Sequence, residues 1–236
     1  MFSLKELADD FLGLFFPSLC LSCGTSLVRG EALLCTKCMI EINRTGFHLK
    51  RDNAVERLFW GRCVIEKGAA FSVYNRGSRI RKLIHLMKYR GRKEIGLALG
   101  RIYGGYLHDS SFMDGIDMVV AVPLHPDRLK KRGFNQSEYI ARGISEVTGV
   151  PVADKVLYRV SATNTQTRRG RFERWENVEG LFAVVDEKKL DGKHVLVVDD
   201  VITTGSTLEA CANALQKGGK TRVSVVSLAV SQKLSI

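Results

Sequence analysis

Val195-Leu-Val-Val-Asp-Asp-Val-Ile-Thr-Thr-Gly-Ser-Thr207 decides the fold. The run at 195–198 is β-branched and leucine throughout, the pattern of a central parallel strand covered on both faces. Asp199 and Asp200 follow at the carboxyl end of that strand. A loop of Thr203, Thr204, Gly205, Ser206 and Thr207 comes next, and an apolar helical pattern then runs over 208–217. In an open α/β sheet, ligands bind beyond the carboxyl ends of the strands. Gly205 lets a backbone approach a phosphate closely. The hydroxyls beside it are donors, and the first amides of a helix carry partial positive charge suited to an anion. The two acids would repel a phosphate laid on them, but they suit ribose hydroxyls or a hydrated Mg2+. No Gly-Lys-Ser/Thr is present, so this is not a Walker loop, and the Gly-x-Gly-x-x-Gly of dinucleotide sites is missing too.

Outward from this stretch, strand and helix patterns alternate from Val64 onward, which predicts a mainly parallel α/β sheet flanked by helices. Strands are expected at 69–74, 118–122, 181–185, 195–198 and 223–228. Helices are expected after Ser78, from about 94 to 107, over 135–147 and over 208–217. The helix after Ser78 has Ile80, Leu83, Ile84 and Met87 on one face and Arg79, Arg81, Lys82 and Lys88 on the others. No internal repeat is visible.

A second cationic element supports the first. The strand at 118–122 stops at Pro123 and leads into a basic turn, where Arg128, Lys130, Lys131 and Arg132 gather before Gly133. A diphosphate requires such a concentration of charge, and Lys88 at the end of the basic helix can add to it. The long polar segment 161–177, with Gln166 and Arg174, reads as a lid that folds over a ligand and excludes water. His85, His125 and His194 read as structural or solvent-facing, with His125 nearest the expected site.

Six cysteines are present, and four form two Cys-x-x-Cys pairs, Cys20 with Cys23 and Cys35 with Cys38. Four thiolates at this spacing suit a closed tetrahedral Zn2+ site, and in a reducing cytosol the pattern favours metal over disulfides. Such a module can bind nucleic acid, or can substitute for a core too small to fold alone. Leu4, Leu7, Phe11 and Phe15 recur at helical spacing, and the acids Glu6, Asp9 and Asp10 do not fit a secretory signal. The expected organisation is an amphipathic helix at 1–16, a zinc module at 17–46, a connector at 47–62 and an α/β domain at 63–236. No apolar run is long enough to span a membrane, so the expected location is the cytoplasm. Formal net charge is +11, which suits a polyanionic ligand, a nucleic acid or a membrane surface.

The stretch 195–207 resembles the signature of type I phosphoribosyltransferases. That resemblance implies that Asp199 and Asp200 contact the ribose hydroxyls of phosphoribosyl pyrophosphate and that residues 203–207 hold its 5′-phosphate, with Mg2+ on the pyrophosphate. Paired cysteines, Lys88-Tyr89, Val122-Pro-Leu124, Arg132-Gly-Phe-Asn-Gln136, Thr163-x-x-Gln166 and Arg174-x-x-Asn177-Val occur in that order before the loop. Together they resemble the ComF family over nearly the whole chain from Pro17. That resemblance implies a phosphoribosyltransferase, a pentosyl-transferring enzyme whose acceptor no segment identifies. It also implies an association with competence, in which single-stranded DNA or competence proteins would be partners. A phosphoribosyl pyrophosphate sensor without turnover remains the alternative.

Overall fold

The computed structural model describes residues 16–160 and 181–234. The expected amino-terminal helix and the expected lid, with Gln166 and Arg174, lie outside the described residues. In chain order the elements are α1 (Thr36–Ile40), α2 (Ala54–Arg57), β1 (Gly68–Tyr74), α3 (Arg79–Tyr89), α4 (Glu94–His108), β2 (Met118–Ala121), α5 (Pro126–Arg132), α6 (Gln136–Thr148), β3 (Leu157–Arg159), β4 (Phe182–Val184), β5 (His194–Ile202), α7 (Ser206–Gln216) and β6 (Arg222–Ser231). Short 3-10 turns fill several of the connections.

Four strands form one parallel sheet in the order β1-β6-β5-β2. Strand alternation divides β5 between two cores. Leu196 and Val198 join Leu83, Met87, Leu99 and Ile140 from α3, α4 and α6 on one face. Val195 and Val197 join Val55, Phe59, Leu208 and Cys211 from α2, α7 and the turn between α2 and β1 on the other. Helices thus cover both faces, as the unbroken apolar run of β5 requires.

Helices α4 and α6 touch backbone to backbone. A Cβ added to Gly100 would meet the Ile140 carbonyl oxygen at 2.4 Å, and one added to Gly143 would meet the Leu97 carbonyl oxygen at 2.3 Å. Any side chain at either position would force the helices apart. This close approach fixes α6, whose first turn reaches the carboxyl end of β5.

Two expectations are refined. The strand read as ending at Val198 continues through both acids to Ile202, because β6 keeps pairing with it as far as Val230. Pairing with β2 stops at Val198. The acids therefore stand on a strand with one flank already open. The stretch 47–62, read as a connector, is built into the core: Val55 and Phe59 are fully buried, and Asn53 caps α2 while its amide donates to the Gly68 carbonyl at 2.8 Å.

The cysteine segment shares a core with the sheet domain, since Cys20, Leu34, Cys38 and Ile42 pack in the same cluster as α3 and α4. Beyond it the chain lies along the outer edge of β1, where Val73 N–H donates to Asn43 O at 3.1 Å and Thr45 N–H donates to Phe71 O at 3.1 Å. That cover protects an otherwise unpaired strand edge. Among the described residues, no helix is long and apolar enough to cross a membrane.

Candidate functional site

The basic turn after β2 is a helix, α5, opened by His125 and ended by Gly133 in the left-handed region at φ 81. His125 Nδ1 accepts the Asp127 amide at 3.2 Å, which assigns it a capping role. Asn135 then starts α6. Its Oδ1 accepts the Ser137 amide at 3.2 Å, and its Nδ2 donates to Val122 O at 2.9 Å. Through this one residue the end of β2 fixes the start of α6.

Ser137 lands against the acid pair. Its hydroxyl donates to Asp199 Oδ1 at 3.1 Å, and the Asp200 amide donates to the same oxygen at 2.8 Å. Alternation turns Asp200 toward α3, where Lys88 Nζ meets its Oδ1 at 2.8 Å. Asp199 retains some solvent access within a dense protein surround. Burial and the neighbouring Asp200 charge push its pKa up to about 7. The two acids are therefore unlike: Asp200 is held by an ammonium group, whereas Asp199 is held by a hydroxyl and an amide.

Lys88 leads to a basic cavity. A concavity of about 530 Å³ is lined by Lys88, Tyr89, Gly91, Arg128, Lys131 and Arg132. The Arg132 guanidinium lies over the Tyr89 ring at 5.9 Å and also donates to the buried Gln136 side chain. The Gln136 Nε2 has no partner among the described residues. Two separated segments, the end of α3 and α5, thus make one cationic wall beside Asp200. A second cavity, of about 270 Å³ and largely aliphatic, lies between the cysteine segment and α3–α4, far from these acids in character.

The loop after β5 has the expected form. Gly205 is buried in the left-handed region at φ 78, while Thr203, Thr204, Ser206 and Thr207 are exposed. Gly205 has no side chain to cap α7, and in the first turn the Ser206 amide donates to Thr204 Oγ1 at 3.4 Å, which leaves the next amides of the helix start as donors. The Thr204 and Ser206 hydroxyls meet at 3.0 Å. Sequence reading missed what lies beneath: the Phe59 ring is 3.4 Å from where a Gly205 Cβ would stand, and Arg62 reaches the Thr204 carbonyl at 2.9 Å. It missed Ser137 as well, although its position two residues after a capping Asn was a usable signal. Arg62 carried none, because it lies far away in the chain.

The four paired cysteines come together, with their sulfur atoms all within 4.8 Å of one another and Cys23 and Cys35 3.6 Å apart. All are free thiols. A tetrahedral ion with Zn–S bonds of about 2.3 Å holds its sulfurs about 3.8 Å apart, so the cluster fits Zn2+ with little movement. Burial pushes the Cys38 thiol up to about 12, whereas hydrogen bonds with Thr25 draw Cys23 down to about 6.

Neither His194 nor His85 stands at the acid pair. His194 opens β5 at the opposite end of the sheet from the acids, buried, with Nε2 2.8 Å from Ser224 Oγ. His85 is exposed, with its ring 4.7 Å from that of Tyr89.

Comparison with known proteins agrees with this geometry. The family model described as the phosphoribosyl transferase domain matches residues 131–234. The DNA utilization protein YhgH of Escherichia coli K12 is 30% identical over 220 residues, 89% of this chain and 95% of that protein. Competence protein F of Haemophilus influenzae is 26% identical over 224 residues, 91% and 98% of the two chains. The YhgH protein of Salmonella typhi is 34% identical over 146 residues, and the match spans 61% of this chain and 63% of that relative's length. With its parallel sheet, its strand-loop-helix at 195–207 and its four-cysteine cluster, the chain belongs to the ComF family of proteins built on a type I phosphoribosyltransferase domain.

Proposed function

We propose that this protein binds phosphoribosyl pyrophosphate with a divalent cation and transfers its phosphoribosyl group to an acceptor, releasing pyrophosphate. The observation that carries this reading is the convergence of Lys88, Ser137, Asp199 and Asp200 beside a glycine loop that opens a helix. In this reading the 5′-phosphate sits on residues 203–207, where the α7 amides and the hydroxyls of Thr203, Thr204, Ser206 and Thr207 donate to it. Asp199 and Asp200 accept from the ribose hydroxyls. Lys88, Arg128, Arg132 and the turn at Gly133 face the pyrophosphate. When bound, Mg2+ would offset the charge of the leaving pyrophosphate.

The chemistry asks little of a protein nucleophile. The acceptor forms a bond to the anomeric carbon as the bond from that carbon to pyrophosphate breaks, and pyrophosphate departs with the electron pair. Positive charge grows on the ribose ring, and negative charge at Asp200, joined by Asp199 once it ionises, stabilises it. The cationic wall holds the departing diphosphate in line. The cysteine cluster would hold a structural Zn2+, remote from this step.

The test is pyrophosphate release measured with purified protein, Mg2+ and phosphoribosyl pyrophosphate across amine, purine, pyrimidine and single-stranded DNA acceptors. Release that depends on an acceptor and is lost in Asp200→Asn supports transfer. Saturable binding without release from any acceptor would reduce the activity to sensing. A DNA-handling role in competence is supported by the names of the relatives, DNA utilization protein YhgH and Competence protein F, and by the net charge of +11. It predicts binding of single strands that weakens steeply with salt. The grouping of four cysteines as a metal-ligand set supports a reducing, cytoplasmic setting, where such clusters are favoured over disulfides.

A further inference from the structure

The loop at 203–207 rests on a residue distant in the chain. Arg62 lies just beyond α2, with its amide bonded to the Phe59 carbonyl at 3.0 Å. Its Nη1 donates to the Thr204 carbonyl at 2.9 Å and to the Leu58 carbonyl at 3.1 Å. Its Nη2 pairs with Glu209 and lies 3.5 Å from the Ser206 hydroxyl. The Glu209 side chain is 18% exposed and that of Arg62 33%. Phe59, three residues earlier, fills the space under Gly205. One short segment therefore supplies both the floor and the brace of the loop.

The placement of Glu209 needs explaining. It stands in the first turn of α7, where the helix end favours an anionic ligand. An unpaired carboxylate there would oppose any phosphate bound at that end. Arg62 is the cation that meets it, and the same guanidinium fixes the backbone of Thr204.

We propose that Arg62 is a positioning residue of the phosphate loop, bracing Thr204 in the shape that presents the α7 amides and cancelling the charge of Glu209 beneath them. The proposal rests on the reading of residues 203–207 as the phosphate cradle. It adds a requirement that lies outside the recognised loop, in a segment whose sequence carries no phosphate-binding pattern.

Calorimetric titration of ribose 5-phosphate and of inorganic pyrophosphate into the full chain separates the two ends of the site. Arg62→Ala is expected to weaken ribose 5-phosphate by about tenfold and to leave pyrophosphate unchanged. Arg62→Lys should retain part of the affinity. Adding Glu209→Gln to Arg62→Ala should recover affinity to within about threefold of wild type. Unchanged ribose 5-phosphate affinity in Arg62→Ala overturns the proposal, and so does an equal loss for both ligands, which would mark a general structural role. A selective loss that Glu209→Gln does not rescue overturns the charge-cancelling half and supports the brace. Wild-type protein that takes pyrophosphate but not ribose 5-phosphate sinks the phosphate-cradle reading itself, and Arg62 with it.

Discussion

Lys88 at the last turn of α3 and Asp200 in β5 meet at 2.8 Å, although 112 residues separate them in the chain. The lysine is 23% exposed and the aspartate 11%. A pair this enclosed is costly to break on one side, because the survivor is left charged and unpartnered. Lys88→Met is expected to lower stability by about 1–3 kcal/mol. Lys88→Met combined with Asp200→Asn should cost less than the sum of the two single changes. Urea melts of the four proteins measure this, and simple additivity would show that the contact carries no coupling.

Gly205 is held in the left-handed region above the Phe59 ring. Gly205→Ala places a Cβ in ordinary contact with that ring, so space is not the obstacle. The backbone conformation is, at about 1–2 kcal/mol. The loop is expected to relax away from its present shape and to lose affinity for ribose 5-phosphate by at least about tenfold, with a modest fall in melting temperature. An unaltered affinity would show that the αL turn is not what shapes the cradle.

Asp199 sets a pH dependence. Its folded pKa, about 7, lies above the ordinary value of 3.8 because burial and Asp200 disfavour its ionised form. Between those values the folded state binds the extra proton, so the Asp199 contribution is fully present below about pH 4 and is lost as pH rises through 7. Asp199→Asn removes that dependence. The variant should be more stable than wild type at pH 8, on the order of 4 kcal/mol, and nearly equal to it only at about pH 3.5, below the ordinary value. Thermal melts at the two pH values test the sign; a variant less stable at pH 8 would contradict it.

The cysteine cluster and the acid pair share α3. Lys82 donates to the Ser22 carbonyl within the first Cys-x-x-Cys, and Arg79 pairs with Glu41 at 2.6 Å. Six residues beyond Lys82 on the same helix, Lys88 holds Asp200. Metal analysis should find one Zn2+ per chain, lost in Cys38→Ser. Zinc removal should lower the melting temperature by several degrees and weaken phosphoribosyl pyrophosphate binding as α3 loosens. Identical melting with and without a strong chelator would rule out the structural ion.

Most of the sheet was legible because its signals are local. The Val195–Val198 run and the Ser78 cap each announce an element within a few residues, and the paired cysteines announce their cluster by spacing alone. The loop glycine was legible for the same reason. Arg62 and Phe59 were not, since their role depends on a packing contact with Gly205 across the chain, and no periodicity marks it. The extension of β5 through Asp199 and Asp200 was hidden for a related reason: only its pairing with β6 keeps two aspartates, poor strand formers, extended.

The central claim is best tested by calorimetric titration of phosphoribosyl pyrophosphate with Mg2+ into the zinc-loaded protein, beside Asp200→Asn. Saturable binding at one site per chain, weakened at least about tenfold by the substitution, is the expected result. No binding to folded, zinc-loaded wild-type protein, or equal binding by both proteins, would contradict the assignment of Asp199, Asp200 and residues 203–207 as the phosphoribosyl site.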